Sequence, residues 1–532
     1  MAKQVAYQSL TNLGVNGLNT QFNPSSLDAS FLTDADNVML RESGRISFRK
    51  GFKQKVVPTG TAIGSMIEHN DAGTNKIFAS HGTSIYTIDF TSPNAAFPSS
   101  GADVKRTVAN STGDWQFINF NERLHCFHKA IVPQRYDGAL SSGSKWAAFN
   151  NSTKPSGVTT FDPSCGMGFY GRMFVGGVTE DKAVMFYSVL LDGDDYTGTG
   201  SGLLDLKKVW DNDEIVNIAP FFGQLVIFGK NNIAIYDNPD DVSNMSLNEV
   251  ISGVGLVNRD SVQAVGDDLV FLSSTGLRSL NRTTEKDKVP LTDYSVNIKD
   301  TLIRNIGQSK LVKSVYLEDE GVYILTFTEK NITYAFDFKH TTPNNAPRVT
   351  TWSFNSDREP ASMIQTELYS GLLVGQKDGG IACYEGYFDT DMSFASGSVV
   401  LSNSPITADV SSVWIRMGEG VISAILKKLV LVLEGGSGAT LGVRWYKDYS
   451  QSSSNTTEIA LNPSVTSTTA LYGAATSLYG DVKYTPIYGL QEYNTALTGR
   501  AKTLKINMSI VSNGFDTSIQ DLSIISLQGK IR

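Results

Sequence analysis

Cysteine is nearly missing from this chain. Its three copies in 532 residues, Cys126, Cys165 and Cys383, are too few and odd in number for a disulfide framework. Cys126 and Cys383 lie in alternating apolar stretches and read as small buried hydrophobes, which points to folding in a reducing cytoplasm. Histidine is scarce too: five residues, none beside a serine in a nucleophile-elbow pattern, leave a hydrolase triad without support. Long hydrophobic runs are lacking. The first ten residues hold no apolar core of the export kind. The most apolar run, 421–433, is too short to span a bilayer and is broken by Lys427 and Lys428. A soluble protein without a membrane-spanning segment is expected. Helical periodicity is almost absent, 296–305 being the best stretch for a helix. Proline is sparse at 16 residues against 48 glycines, a balance that suits tight turns between strands. Positive charge is the last shortage. With 45 Lys/Arg against 53 Asp/Glu the net charge is −8, which argues against tight nucleic-acid binding by charge neutralisation.

Stretches that invite a chemical reading fall short of it. Asp192-Gly193-Asp194-Asp195 lacks the wider ligand spacing and closing bidentate acid of a calcium loop, and reads as an acidic turn. Cys126 and His128 would share one strand face, but two ligands without partners do not hold zinc. Gly435-Gly436-Ser437-Gly438 and Gly198-Thr199-Gly200 lack the Lys-Ser/Thr of a phosphate loop and the helix of a dinucleotide fold. No catalytic, cofactor-binding or metal-binding residue is therefore assigned, and no cofactor is expected. Carboxylate pairs for glycoside cleavage stay open, because their separation is invisible in a sequence.

What is present is a repeat of about fifty residues. Its clearest copy runs from Phe221 to Asp237: a short apolar strand, a turn at Gly229-Lys230-Asn231-Asn232, and a second, alternating strand. Looser copies centre on Gly82, Ala130, Thr179, Gly276, Lys330 and Gly379, with 173–187 the loosest. A regular step with two paired strands per copy marks a β-propeller in which each copy is one blade. The expected fold is all-β: a propeller of about six or seven blades over 59–390, an N-terminal extended arm and hairpin over 1–58, and a C-terminal β-sandwich-like platform domain over 391–532. The last carries a long polar insertion, 448–500, of the kind that is usually functional.

Charge is uneven. Residues 1–58 hold seven Lys/Arg against four Asp/Glu and residues 391–532 hold eleven against ten, leaving the repeat region at −12. The stretches on either side of Ser43-Gly44 read as a basic hairpin, and Arg45, Arg49 and Lys50 are its candidate interface residues. A solvated strand face is the plainer reading of the same charges.

The N-terminal segment carries a family resemblance. Gly17-Leu18-Asn19-Thr20, then Pro24, Leu27, Ala35-Asp36-Asn37-Val38, Gly44 and Arg49-Lys50-Gly51-Phe52 resemble the start of short-tailed bacteriophage (podovirus) tail nozzle proteins. These are also called tail tubular protein B or packaged-DNA stabilisation proteins. Where that pattern usually has Arg-Pro-Gly, this chain has Arg49-Lys50-Gly51. The resemblance implies a structural, non-enzymatic virion protein, assembled in the host cytoplasm. It implies a homohexameric ring that forms the distal tail tube, retains packaged DNA and conducts it into the host during infection. The implied partners are the tail adaptor and a tail fibre or tailspike, with duplex DNA passing through without tight binding. A neutral or acidic lining suits such sliding better than a basic one. The alternative from the residues alone is a carbohydrate-binding or glycan-hydrolysing propeller acting on the host surface.

Overall fold

A computed structural model describes residues 5–10, 12–41, 45–88, 105–210, 212–280, 293–308, 311–369, 371–395, 398–417, 423–435, 438–453, 455–461, 490–512 and 514–528. The two strands read from each repeat become the second and third strands of a small antiparallel sheet, in all seven copies. The clearest copy shows the pattern. Ile215–Phe221, Gln224–Gly229, Asn232–Asp237 and Ser246–Ser252 pair in sequence order, as hairpins must when the connecting turns are short. Six sheets reach four strands. The fifth, Gln263–Val265, Asp268–Ser273 and Gly276–Ser279, shows three among the described residues. Even the loosest copy belongs to the ring, as Arg172–Gly176 and Val184–Tyr187 of the third sheet.

The sheets stack as blades because each is apolar on both faces and so must bury both. Phe78, Trp115, Leu124 and Tyr136 fill the space between blades 1 and 2. Phe127, Phe161, Met173 and Phe186 lie between blades 2 and 3, and Phe174, Met185, Leu225 and Ile227 between 3 and 4. The ring closes where Ile63 and Ile77 of blade 1 pack against Leu373, Ile381 and Cys383 of blade 7. Cys126 and Cys383 are buried strand residues, as read from the sequence. In blade 7 the outer strand comes from the other end of the chain. Phe52–Val56 pairs antiparallel with Ile381–Tyr384, so a segment preceding blade 1 completes the last blade.

The C-terminal residues form a two-sheet sandwich. One sheet orders Val38–Arg41, Arg45–Phe48, Thr517–Gln528, Ala424–Gly435 and Leu490–Ala496. The other contains Thr407–Ser412, Thr503–Val511, Thr440–Lys447 and Asn455–Ala460. Alternation puts Leu429, Leu431, Leu433, Val443, Trp445, Ile506, Met508 and Ile524 into the shared core.

Three expectations change. The segment read as an extended arm and hairpin keeps its hairpin, Val38–Arg41 with Arg45–Phe48, but is built into the rest of the chain, supplying strands to the sandwich, to blade 7 and to the seam between propeller and sandwich. The stretch read as one strand over 32–40 splits at Asn37 (φ 56°) into Leu32–Asp36 and Val38–Arg41, which enter different sheets. The helix covers Lys299–Ile306, slightly later than the stretch read for it. Most of the polar insertion, 462–489, lies outside the described residues.

Candidate functional site: the seam between propeller and sandwich

The seam begins with Leu32–Asp36. This strand lies between the outer strand of blade 6, Pro347–Trp352, and the sandwich strand Thr407–Ser412, so one ten-stranded sheet runs from blade to sandwich. Asn37 then turns the chain out of that sheet. Asparagine tolerates the left-handed region better than most residues, and its amide can bond locally. Here its Nδ2 donates to the Ser353 hydroxyl (2.9 Å) and the Thr407 carbonyl (2.9 Å). Its Oδ1 accepts from Arg49 Nε (2.8 Å) and the Ser353 amide (3.1 Å). One side chain thus ties blade 6, the sandwich and the basic hairpin together.

Arg49 completes the knot. Its side chain is 1% exposed and forms a two-pronged pair with Asp389, Nη1–Oδ1 and Nη2–Oδ2 both 3.1 Å. It also donates to the Lys50 carbonyl (2.9 Å), and its guanidinium lies over the rings of Phe52 (5.2 Å) and Phe354 (5.5 Å). Buried arginine suits this place because its planar fork matches a carboxylate and stacks on aromatic faces. Asp389 Oδ1 additionally accepts the Phe52 amide (2.9 Å). At Gly51 a Cβ would lie 1.9 Å from the Phe388 carbonyl oxygen, so only glycine allows the two backbones to approach. Farther upstream Gly17 (φ 76°) packs on Val349, the Leu18 amide donates to the Val349 carbonyl (2.8 Å), and buried Asn19 reaches Asn297 (3.3 Å). Gly17, Leu18, Asn37 and Arg49 therefore lie where the N-terminal segment meets blade 6 and the sandwich.

The three candidate interface residues fare differently from their reading. Arg49 is inside the chain and offers nothing to a partner in this conformation. Arg45 pairs with Glu434 (2.9 Å) and Lys50 with Glu320 (2.8 Å), both partly exposed. Lys53 and Lys55 share Glu385. The hairpin's positive charge is thus largely met by this chain's own carboxylates. Asp389, Ser353 and Thr407 were missed in the sequence, where nothing local marks residues whose partners lie more than three hundred positions away.

Two other places hold polar chemistry. At the propeller axis, a cavity of about 230 Å³ is lined by residues of the inner strands, including Ser65, Gln116, Asn217, Gln263 and Ser314. Four charges close it: Lys313 Nζ bonds Asp114 (2.7 Å) and Asp260 (2.6 Å), and Arg259 bonds Asp260 (2.9 Å) and Asp114 (3.2 Å). Burial pushes the Asp260 carboxyl up, but Arg259 and Lys313 outweigh it and hold the group well below the usual carboxylate range. Burial also opposes the charge of Lys313, yet Asp260 and Asp114 keep its pKa above the ordinary lysine value. The axis is a neutral plug. A space of about 230 Å³ has no room for a DNA duplex.

On the outside, a cleft of about 780 Å³ opens between blades 3 and 4, and one of about 750 Å³ between blades 1 and 2. The carboxylates of the first are already engaged: Glu214 with Lys182 and Lys230, Asp181 with Lys207, Asp213 with the Lys230 and Asn231 amides. Lysine pairing holds Glu214 below its usual range, a poor setting for a general acid. The acidic turn at 192–195 is likewise spent internally, Asp194 pairing with Arg135 (2.7 Å). Among the described residues no cluster of three or more His, Cys, Asp or Glu is arranged to hold a metal, and no helix is long and apolar enough to cross a membrane.

No family model matches the sequence, and no curated protein matches it. Among solved structures, the chain is similar to the Neurospora crassa Pan2 WD40 domain. The match has a TM-score of 0.38 and 8% identity, covering 63% of this chain and 95% of that one.

Proposed function

We propose that this protein is a structural component of a short-tailed phage tail, a nozzle subunit whose copies form a hexameric tube for the passage of packaged DNA. One observation carries the reading. Asn37 and Arg49, two of the residues that resemble the nozzle pattern, lock the propeller to the sandwich together with Asp389. A wall element under the pressure of packaged DNA needs such a rigid joint, and a buried two-pronged ion pair with aromatic faces supplies one. The closed propeller axis means that a DNA conduit must lie between copies and not through one. The repeat region's net −12 charge suits a surface along which phosphate slides without being held.

Imaging tests this. Purified chain mixed with the adaptor should give six-fold rings, and antibodies against the chain should decorate the distal tail of particles. A protein absent from particles would sink the proposal. Turnover of a glycan panel abolished by one carboxylate substitution would move the assignment to the carbohydrate reading.

A further inference from the structure

Two exposed surfaces among the described residues complement each other. The first lies on the rim of blades 3 and 4. The turn after Cys165–Phe169 is Tyr170-Gly171 and the turn after Ile215–Phe221 is Phe222-Gly223, each with two left-handed residues (φ 44° and 71°; 45° and 79°). Such two-residue hairpin turns favour Asn or Asp at the first place, since a bulky side chain is strained there. Here the strained places are given to aromatics that stand in solvent, Tyr170 at 49% and Phe222 at 68% exposure. Leu190 and Leu191, also more than half exposed, join them. The Leu191 amide donates to the Gly171 carbonyl (2.7 Å), and Gly223 approaches the Tyr170 hydroxyl. Leu191 is itself left-handed (φ 60°). Strain held in order to expose apolar groups is a mark of function and not of folding. Acids flank the patch. Glu122 follows Asn121, which bonds the Leu191 carbonyl, and Asp237 receives Gln224 beside the second turn.

The second surface is one end of the sandwich. Arg416, Lys427, Lys447, Arg500 and Lys502 come together there. The Met417 amide bonds the Lys502 carbonyl, Ile425 pairs with Arg500, the Leu497 amide bonds the Lys427 carbonyl, and Gly499 packs against Lys447 Nζ. Among the described residues none of these five cations forms an ion pair. Beside them Tyr449, 54% exposed and left-handed (φ 63°), packs tilted against Trp414 at 4.9 Å between ring centres. An aromatic anchor among five cations and Asp448, whose carboxylate accepts the Lys502 and Thr503 amides, thus faces the solvent at one place, and an aromatic and aliphatic anchor beside Glu122 and Asp237 at another.

We propose that these surfaces meet between two copies of the chain: the blade 3–4 rim of one copy takes the basic, Tyr449-bearing sandwich end of the next. Opposite charge and paired apolar anchors favour this occupant over an unrelated protein, because both halves of the complementarity are present on one sequence. The sandwich is attached through blades 6 and 7, across the ring from blades 3 and 4, so the two surfaces lie apart on one molecule. The contact is then head-to-tail, the kind that generates rings when its rotation closes. The inference rests on the tube reading only in that copies must meet, and it names the surfaces that do so.

Two variants of the full chain test it, Y170N/F222N on the rim and R500E/K502E on the sandwich end. Wild type should self-associate in sedimentation velocity at low salt and less so at high salt. Each variant alone should be monomeric. The two mixed should give heterodimers and nothing larger, since one intact rim and one intact end remain. The rim variant should keep its near-ultraviolet spectrum and melt no earlier than wild type, as asparagine suits these turns. A wild type that stays monomeric overturns the contact, and so does a rim variant that associates normally. If R500E/K502E loses only salt-sensitive binding of a short DNA duplex while association persists, the basic end serves a polyanion and the contact is refuted. The last two outcomes leave the tube itself untouched, which particle labelling judges separately.

Discussion

Replacing Arg49 by methionine tests the seam most directly. Methionine keeps much of the apolar stem between Phe52 and Phe354 but leaves Asp389 with the Phe52 amide and without its cation. Removing one partner of a buried pair typically costs about 3–5 kcal/mol, roughly two to four powers of ten in the folding equilibrium. The 1% exposure of Arg49 and its bonds to Asn37 and the Lys50 carbonyl put it toward the upper end. D389N should cost a similar amount, and the double variant R49M/D389L much less than the sum, since no charge is then stranded. The distinctive readout is calorimetric. Propeller and sandwich should melt together in wild type and in two separate steps in R49M, because the joint that couples them is gone. As a control, K53A removes a pair with Glu385 that is 48% and 46% exposed and leaves Glu385 its bond to Lys55, and should shift stability by no more than about 0.5 kcal/mol. A loss below about 1 kcal/mol in R49M, with a single transition retained, would refute the claim that the seam is a structural lock.

Other expectations follow from the same geometry. The Asp260 carboxyl is held low in the folded chain, so its contribution to stability is present above about pH 4 and is lost as pH falls from there through the folded value. D260N should flatten the acid limb of a stability–pH curve measured by urea titration; an unchanged limb speaks against the plug. G51A places a methyl carbon against the Phe388 carbonyl and should cost about 1–3 kcal/mol or more, read as a lower urea midpoint. W445A empties the sandwich core, where Trp445 is fully buried, and should cost about 3–5 kcal/mol, read as a lower midpoint of the single coupled transition.

The sequence by itself determined the repeated parts. Alternation over four to eight residues is a local property, and a step of about fifty residues gives it a register. The second and third strands of every blade were therefore visible, from Thr74–His81 to Ile381–Tyr384. So were the alternating stretches 428–434 and 504–511, which lie within the sandwich strands Ala424–Gly435 and Thr503–Val511. Tertiary structure alone decided the choice of edges. A strand such as Phe52–Val56 reads the same whether it stands free or closes a blade, because what fixes it is an open edge at Ile381–Tyr384, far along the chain. Asn37 looked like one residue within a strand; only the presence of two sheets, each needing a strand, turned it into a corner. Arg49 looked like a surface cation for the same reason. Its charge was legible, but the carboxylate and rings that bury it come from residues 354 and 389, and a pairing across that separation exists only once the ring has closed.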